Sequence, residues 1–231
     1  MFYLYVKKKF TYLGIDETSL GINNKGLIIV SAETKNPELI KNKGYSTLKK
    51  AKDFLEDAKA YHRDFERLVF ENIPELPHPT EMMASGMDNY YWLRVNNGRF
   101  SRQMIEHAGI AQVVTVNGYS PQRTVLYIDA FHGKEHETKE IIKEILYFEG
   151  FEIDKKNIEV VCGGDRSVPI INYADLLAFQ IGLFLNEKYR KFFPERKKFP
   201  IYPHKQNYDK RRVQTLENSL RDVLSTFIKK E

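Results

Sequence analysis

The sequence predicts an α/β domain: a mixed sheet opened by an antiparallel hairpin and flanked by helices. Three observations predict it. Two apolar runs near the N-terminus are separated by a polar turn between glycines. Further β-like runs then alternate with amphipathic helical patterns. Finally, three of the β-like runs deliver carboxylates at their C-terminal ends: Asp16 and Glu17, then Asp129, then Asp165.

The elements follow in order. Residues 10–16 and 26–33 read as strands, and Asn23-Asn24-Lys25 between Gly21 and Gly26 turns the chain back on itself. Ser46 caps a predicted helix over 47–70, where Leu48, Ala51, Phe54, Leu55, Ala58, Phe65, Leu68 and Val69 recur at helical spacing. Pro74, Pro77 and Pro79 end that order, so 72–88 reads as a surface excursion and 72–100 as a candidate insertion. Tyr90 to Val95 reads as a strand and Asn96-Asn97-Gly98 as a turn. A helix is expected over 100–114 and a strand over 124–131. An amphipathic helix follows over 135–148, with Ile141, Ile142, Ile145, Leu146 and Phe148 on its inner side. Residues 158–162 form the next strand, 172–189 an apolar helix and 213–229 an amphipathic one. The expected division is a domain over 1–186 and a basic extension over 187–231.

Composition narrows the class of function. Hydrophobic residues make up 42% of 231 residues, enough to bury a real core. The net charge of +5 suits a polyanionic partner. Cys162 is the single cysteine, so no intrachain disulfide forms and no cysteine-rich zinc site exists. Its apolar neighbours predict a small buried hydrophobe rather than a nucleophile. No apolar run approaches the roughly 20 residues that span a bilayer. Lys7-Lys8-Lys9 after an aromatic start is the wrong order for a secretory signal, so a cytoplasmic protein is expected, without a membrane partner.

The carboxylates carry the chemistry. Phosphodiester hydrolysis by two divalent cations needs several acids converging on ions about 4 Å apart. Neighbouring strands lie roughly 4.8 Å apart, so acids at adjacent strand ends share a metal although they are distant in sequence.

Gly14-Ile15-Asp16-Glu17 followed by Gly21, Tyr127-Ile128-Asp129, and Gly163-Gly164-Asp165-Arg166-Ser167-Val168-Pro169 stand in the order of three elements of type 2 ribonuclease H, which this chain resembles. The resemblance covers 10–32 and 124–182 well. It implies a ribonuclease H-like mixed sheet and metal ligands at Asp16, Glu17, Asp129 and Asp165. It also implies Mg²⁺ or Mn²⁺ as cofactor, and endonucleolytic cleavage of RNA, RNA–DNA hybrid or structured nucleic acid to a 5′-phosphate and a 3′-hydroxyl. Two departures stand out. After Glu17 the family carries Ala-Gly-Arg-Gly, and this chain has Thr18-Ser19-Leu20-Gly21, so the arginine that helps hold phosphate at an RNA–DNA junction is replaced by Leu20. Ala174-Asp175 stands where type 2 enzymes carry a small residue. That late Ala-Asp pair resembles a broader group of uncharacterised ribonuclease-H-like proteins.

Asp175 also follows from physics. Its helix is apolar around nearly the whole circumference, and a buried carboxylate without a partner costs several kcal/mol. A metal satisfies it, making it a fifth ligand and catalytic group, or an arginine does, or the helix N-terminus does, if the helix starts at Asn172. Arg166 and Arg123 are placed near acidic strand ends or their connections, where either meets phosphate or neutralises the acids. His132 and His136 follow Asp129 as a candidate acid–base group or as plain surface histidines. The segment 187–212 interleaves aromatics with cations. Lys197, Lys198, Lys210, Arg211 and Arg212 are its candidate nucleic-acid contacts, and a solvated linker is its alternative. The alternative to the nuclease as a whole is a nucleic-acid-binding module without catalysis on the same fold.

Overall fold

The computed structural model describes residues 10–19, 27–44, 48–49, 53, 87–95, 102–115, 118–130 and 134–185. Strand β1 (Thr11–Ser19) pairs antiparallel with β2 (Leu27–Thr34), and β2 pairs antiparallel with β3 (Met87–Val95). On its other edge β1 pairs parallel with β4 (Thr124–Ala130), and β4 pairs parallel with β5 (Ile158–Cys162). The five-stranded order is therefore β3-β2-β1-β4-β5, with β1 at the centre. A parallel pair cannot be joined by a tight turn, so a crossover must separate β4 from β5. That crossover is helix α2 (Glu135–Phe148).

Alternation along the strands sorts residues between the two faces. Leu13 and Ile15 of β1, Ile29 of β2, and Leu126 and Ile128 of β4 share one buried cluster. Helix α1 (Arg102–Thr115) adds Ile110, Ala111, Val113 and Val114, and α2 adds Ile142, Ile145 and Leu146. The opposite face carries Val30, Ala32 and Tyr127, covered by α3 (Pro169–Leu185) through Ile170, Ile171, Ala174, Leu177 and Ala178. Each fully buried aliphatic side chain contributes about 1.5–3 kcal/mol, so the two clusters together fix the sheet between its helix layers.

Gly14 decides how closely the second layer approaches. A Cβ there would lie 2.4 Å from the carbonyl oxygen of Ile170 and 2.7 Å from its Cγ1. Only glycine lets α3 rest on the central strand at this depth.

The expected hairpin, the strand over 158–162 and the helix over 135–148 are all present. Four expectations need correction. Helix α3 begins at Pro169, not Asn172, because proline fits the first helical position and the Asn172 amide already bonds the Val168 carbonyl. Leu48 and Lys49 are not helical although Asp53 is, so no helix starts at Thr47. Phe148 is 47% exposed rather than inward, because it falls near Ile141 at the margin of the stripe centred on Ile142 and Ile145. Cys162 is exposed, because β5 is an edge strand and its last residue lies beyond the cover of the core. The hairpin turn, most of 47–88, the 96–98 turn and everything from 186 onward, with its basic segment and terminal helix, lie outside the described residues. No described helix is long and apolar enough to cross a membrane.

Candidate metal centre at the strand ends

The register of the parallel strands gathers the acids. Ile15 stands opposite Ile128, so Asp16 and Asp129 each lie one step beyond the last pair of β1 with β4. By alternation both stand on the sheet face that α3 covers. Asp16 is 8% exposed, whereas Glu17, the next residue, is half-buried. The Glu17 amide donates to Asp16 Oδ1 at 2.7 Å.

Asp129 is held from the turn that follows β5. The Gly164 amide donates to Asp129 Oδ1 at 2.7 Å. A Cβ at Gly164 would lie 3.3 Å from that oxygen and 2.5 Å from Ile171 Cδ1. Gly163, just before it, takes a left-handed conformation (φ 63°). The glycine pair thus turns the chain off β5 and brings a backbone donor against the carboxylate.

Asp175 reaches the same place from α3. It lies four residues after Ile171 on one helix face, and Ile171 packs against Gly164. Asp175 is half-buried and sits in the second turn, seven residues into the helix, so the helix N-terminus does not account for it. The capping explanation of this residue therefore falls with the earlier helix start.

The charges of these acids act on one another. Burial pushes the Asp16 carboxyl well above the usual carboxylate range, and the charges of Glu17, Asp175 and Asp129 push it further, in that order. A hydrogen bond with the Glu17 side chain acts in the same direction. Asp165 is also buried, in the short turn Gly164–Arg166 after β5. The Asp165 carbonyl accepts from Asn172 Nδ2 at 2.7 Å.

Such oxygen-only donors, crowded against their own repulsion, match the preference of hard divalent cations. Asp16, Glu17, Asp129 and Asp175 are the residues at this end of the sheet that could hold an ion. Among the described residues, no three His, Cys, Asp or Glu side chains already stand in a ligating arrangement. A cation held among them would offset the repulsion between the carboxylates.

The other candidate residues are dispersed. Arg166 Nη2 pairs with Asp53 Oδ1 at 2.8 Å. Arg123 lies in the turn before β4, at the opposite end of the strand from Asp129. About 3.3 Å per residue separates them by roughly 20 Å, so Arg123 cannot neutralise that acid. His136 is exposed at the start of α2, 3.8 Å from Glu140 Oε1. His132, Lys197, Lys198, Lys210, Arg211 and Arg212 lie outside the described residues.

A central β1 flanked by an antiparallel hairpin and two parallel strands, with helices on both faces and acids at the strand ends, is the arrangement expected above. The fold is a mixed α/β sheet layered by helices on both faces. No family model and no curated protein matches the chain. Among solved structures, it is similar to a chain of the PCNA:RNase HII complex from Archaeoglobus fulgidus, with a TM-score of 0.48 and 13% identity, over 92% of this chain and 89% of that one. It is similar also to ribonuclease H2 from Pyrococcus horikoshii OT3, with a TM-score of 0.48 and 16% identity, over 92% of this chain and 98% of that one. Likeness at this distance leaves substrate and chemistry to be argued from the residues.

Some contributors were not legible as such. Gly164 acts through its amide and Gly14 through its missing Cβ, and the only sequence signal for either was its place in a motif. Tyr119, which carries no pattern in the sequence, donates its hydroxyl to Glu33 Oε2 at 2.9 Å and packs against the core.

Proposed function

We propose that the protein is a metal-dependent endonuclease acting on RNA, RNA–DNA hybrid or structured nucleic acid. The single observation that carries this reading is the burial of Asp16 at the end of β1 within the fields of Glu17, Asp129 and Asp175. A fold that crowds negative charge against its own repulsion gains from a cation there, and Mg²⁺ or Mn²⁺ suits a carboxylate set.

Asp16, Glu17, Asp129 and Asp175 hold the cation in this reading, with Asp165 a further ligand. When bound, a divalent cation supplies an activated water and neutralises charge on the reacting phosphate. The protein residues do the remainder. The Gly164 amide fixes one oxygen of Asp129, leaving the other directed by that constraint. A cation held there would oppose the burial and the like charges that raise Asp16, and so would favour its ionised form. The basic residues Lys197, Lys198, Lys210, Arg211 and Arg212 supply backbone affinity for the nucleic acid, and Leu20 leaves junction recognition without the family arginine.

The test is cleavage of labelled RNA–DNA hybrid, RNA and DNA with Mg²⁺ or Mn²⁺, comparing wild type with Asp16→Asn. Wild-type cleavage that disappears in the variant is the expected result. Equal cleavage by both proteins sinks the proposal. The second reading, a nucleic-acid-binding module without catalysis, draws on Leu20 in place of the family arginine and on the basic segment over 187–212. It predicts salt-sensitive binding and no turnover under any of these metals.

A further inference from the structure

The loop carrying Asp165 is tied down by chain segments far from it in sequence. The Lys43 amide donates to the Ser167 carbonyl at 2.8 Å and the Leu48 amide to the Arg166 carbonyl at 3.1 Å. Asn172, 6% exposed, donates through Nδ2 to the Lys49 carbonyl at 2.9 Å and to the Asp165 carbonyl at 2.7 Å. Arg166 Nη2 closes the set on Asp53 Oδ1 at 2.8 Å. The clamped turn is the one whose Gly164 amide holds Asp129 at 2.7 Å. Within it, the Arg166 amide bonds the Gly163 carbonyl and the Ser167 amide bonds the Gly164 carbonyl, both at 3.1 Å, so a shift of Arg166 carries Gly164 with it.

We infer that Arg166, Asp53 and Asn172 are positioning residues that fix the Gly163–Ser167 turn, and through it the Asp129 carboxylate, rather than groups that meet the nucleic acid. Arg166 has its charge engaged by a half-buried aspartate and its carbonyl engaged by Leu48. Its guanidinium therefore acts on the site through the backbone of the turn. Asn172 bridges the two segments and carries the tie into α3, the helix that also bears Asp175. The inference rests on the proposed metal site for its consequence, but the mechanical link does not depend on that site.

Two readouts separate those parts: Mn²⁺ affinity of the full chain, followed by the electron paramagnetic resonance of free Mn²⁺, and amide exchange at Gly164 without metal. Asp53→Ala and Arg166→Ala are each expected to speed exchange at Gly164 and to weaken Mn²⁺ binding about 10-fold, the scale of second-layer partners of a metal site. The double variant is expected to be no worse than either single one, because both remove one interaction. Asp53→Glu, which keeps the ion pair, is expected to restore both values, and Asn172→Leu to reproduce the loss. Unchanged Gly164 exchange in Asp53→Ala and Asn172→Leu overturns the inference. So does a rise in KM for nucleic acid in Arg166→Ala that Asp53→Ala does not share, since that marks a phosphate contact. If wild type binds no Mn²⁺, the metal reading fails, and faster Gly164 exchange in the variants still upholds the clamp.

Discussion

Asp16 sits where a carboxylate is least comfortable, and its discomfort predicts opposite effects on stability and activity. Its raised value means that the folded chain holds the proton more tightly than the unfolded one. The metal-free fold is therefore favoured at low pH and loses that advantage as pH rises through the raised value. Asp16→Asn removes the charge and keeps the shape. Without divalent metal at neutral pH it is expected to stabilise the protein by about 0.5–2 kcal/mol in thermal unfolding, while cleavage falls at least about 100-fold. A less stable metal-free variant would contradict the crowding argument. His107 makes the reverse case. It is 3% exposed on α1, and burial lowers it to about 4 against the opposing charge of Glu137. The unfolded chain takes up a proton near 6.5 and the folded one does not. Stability is thus complete above about pH 6.5 and falls as pH drops toward 4, by on the order of 3 kcal/mol. Urea titrations at pH 7 and pH 4.5 measure the loss, and His107→Leu is expected to lessen it.

At the scale of elements, the position of α3 against β1 settles which acids meet. Gly14→Ala places a methyl group 2.4 Å from the Ile170 carbonyl, a backbone atom that cannot rotate aside. The helix must lift, at a cost of about 1–3 kcal/mol, and Asp175 moves away from Asp16 with it. Mn²⁺ affinity is therefore expected to fall even in preparations that remain folded, which an isothermal titration measures. Ile145→Ala, on the other face, creates a cavity under α2 and is expected to cost about 2–5 kcal/mol while leaving the folded protein's Mn²⁺ affinity unchanged. The contrast separates loss of core from loss of site. The boundaries of α2 were legible because acidic residues open it and a regular stripe runs through it. The start of α3 was not, because an apolar helix has no contrasting face, and Pro169 rather than Asn172 is the first helical residue.

For the whole molecule, the net charge of +5 beside a cluster of acids predicts two distinct salt and metal responses. Nucleic-acid binding is expected to weaken at least about 10-fold between 50 and 200 mM salt, measured by fluorescence anisotropy, as counterions reclaim the phosphates. Removing divalent metal with a chelator is expected to abolish cleavage but leave that salt dependence in place. Binding indifferent to salt would count against any backbone-reading surface. The layering of helices on both faces of the sheet followed from the strand and helix order, and the hairpin from its glycine-bracketed turn.

By itself, the sequence determined that acids would arrive at the ends of β-like runs, because strand periodicity and turn chemistry are local properties. It could not decide which of them meet. That came from the parallel register of β1 and β4, from the depth at which Gly14 admits α3, and from the turn that aims the Gly164 amide at Asp129. Those are relations between segments distant in the chain. Carboxylates act on one another through space, so tertiary packing alone sets the distances on which their charges depend.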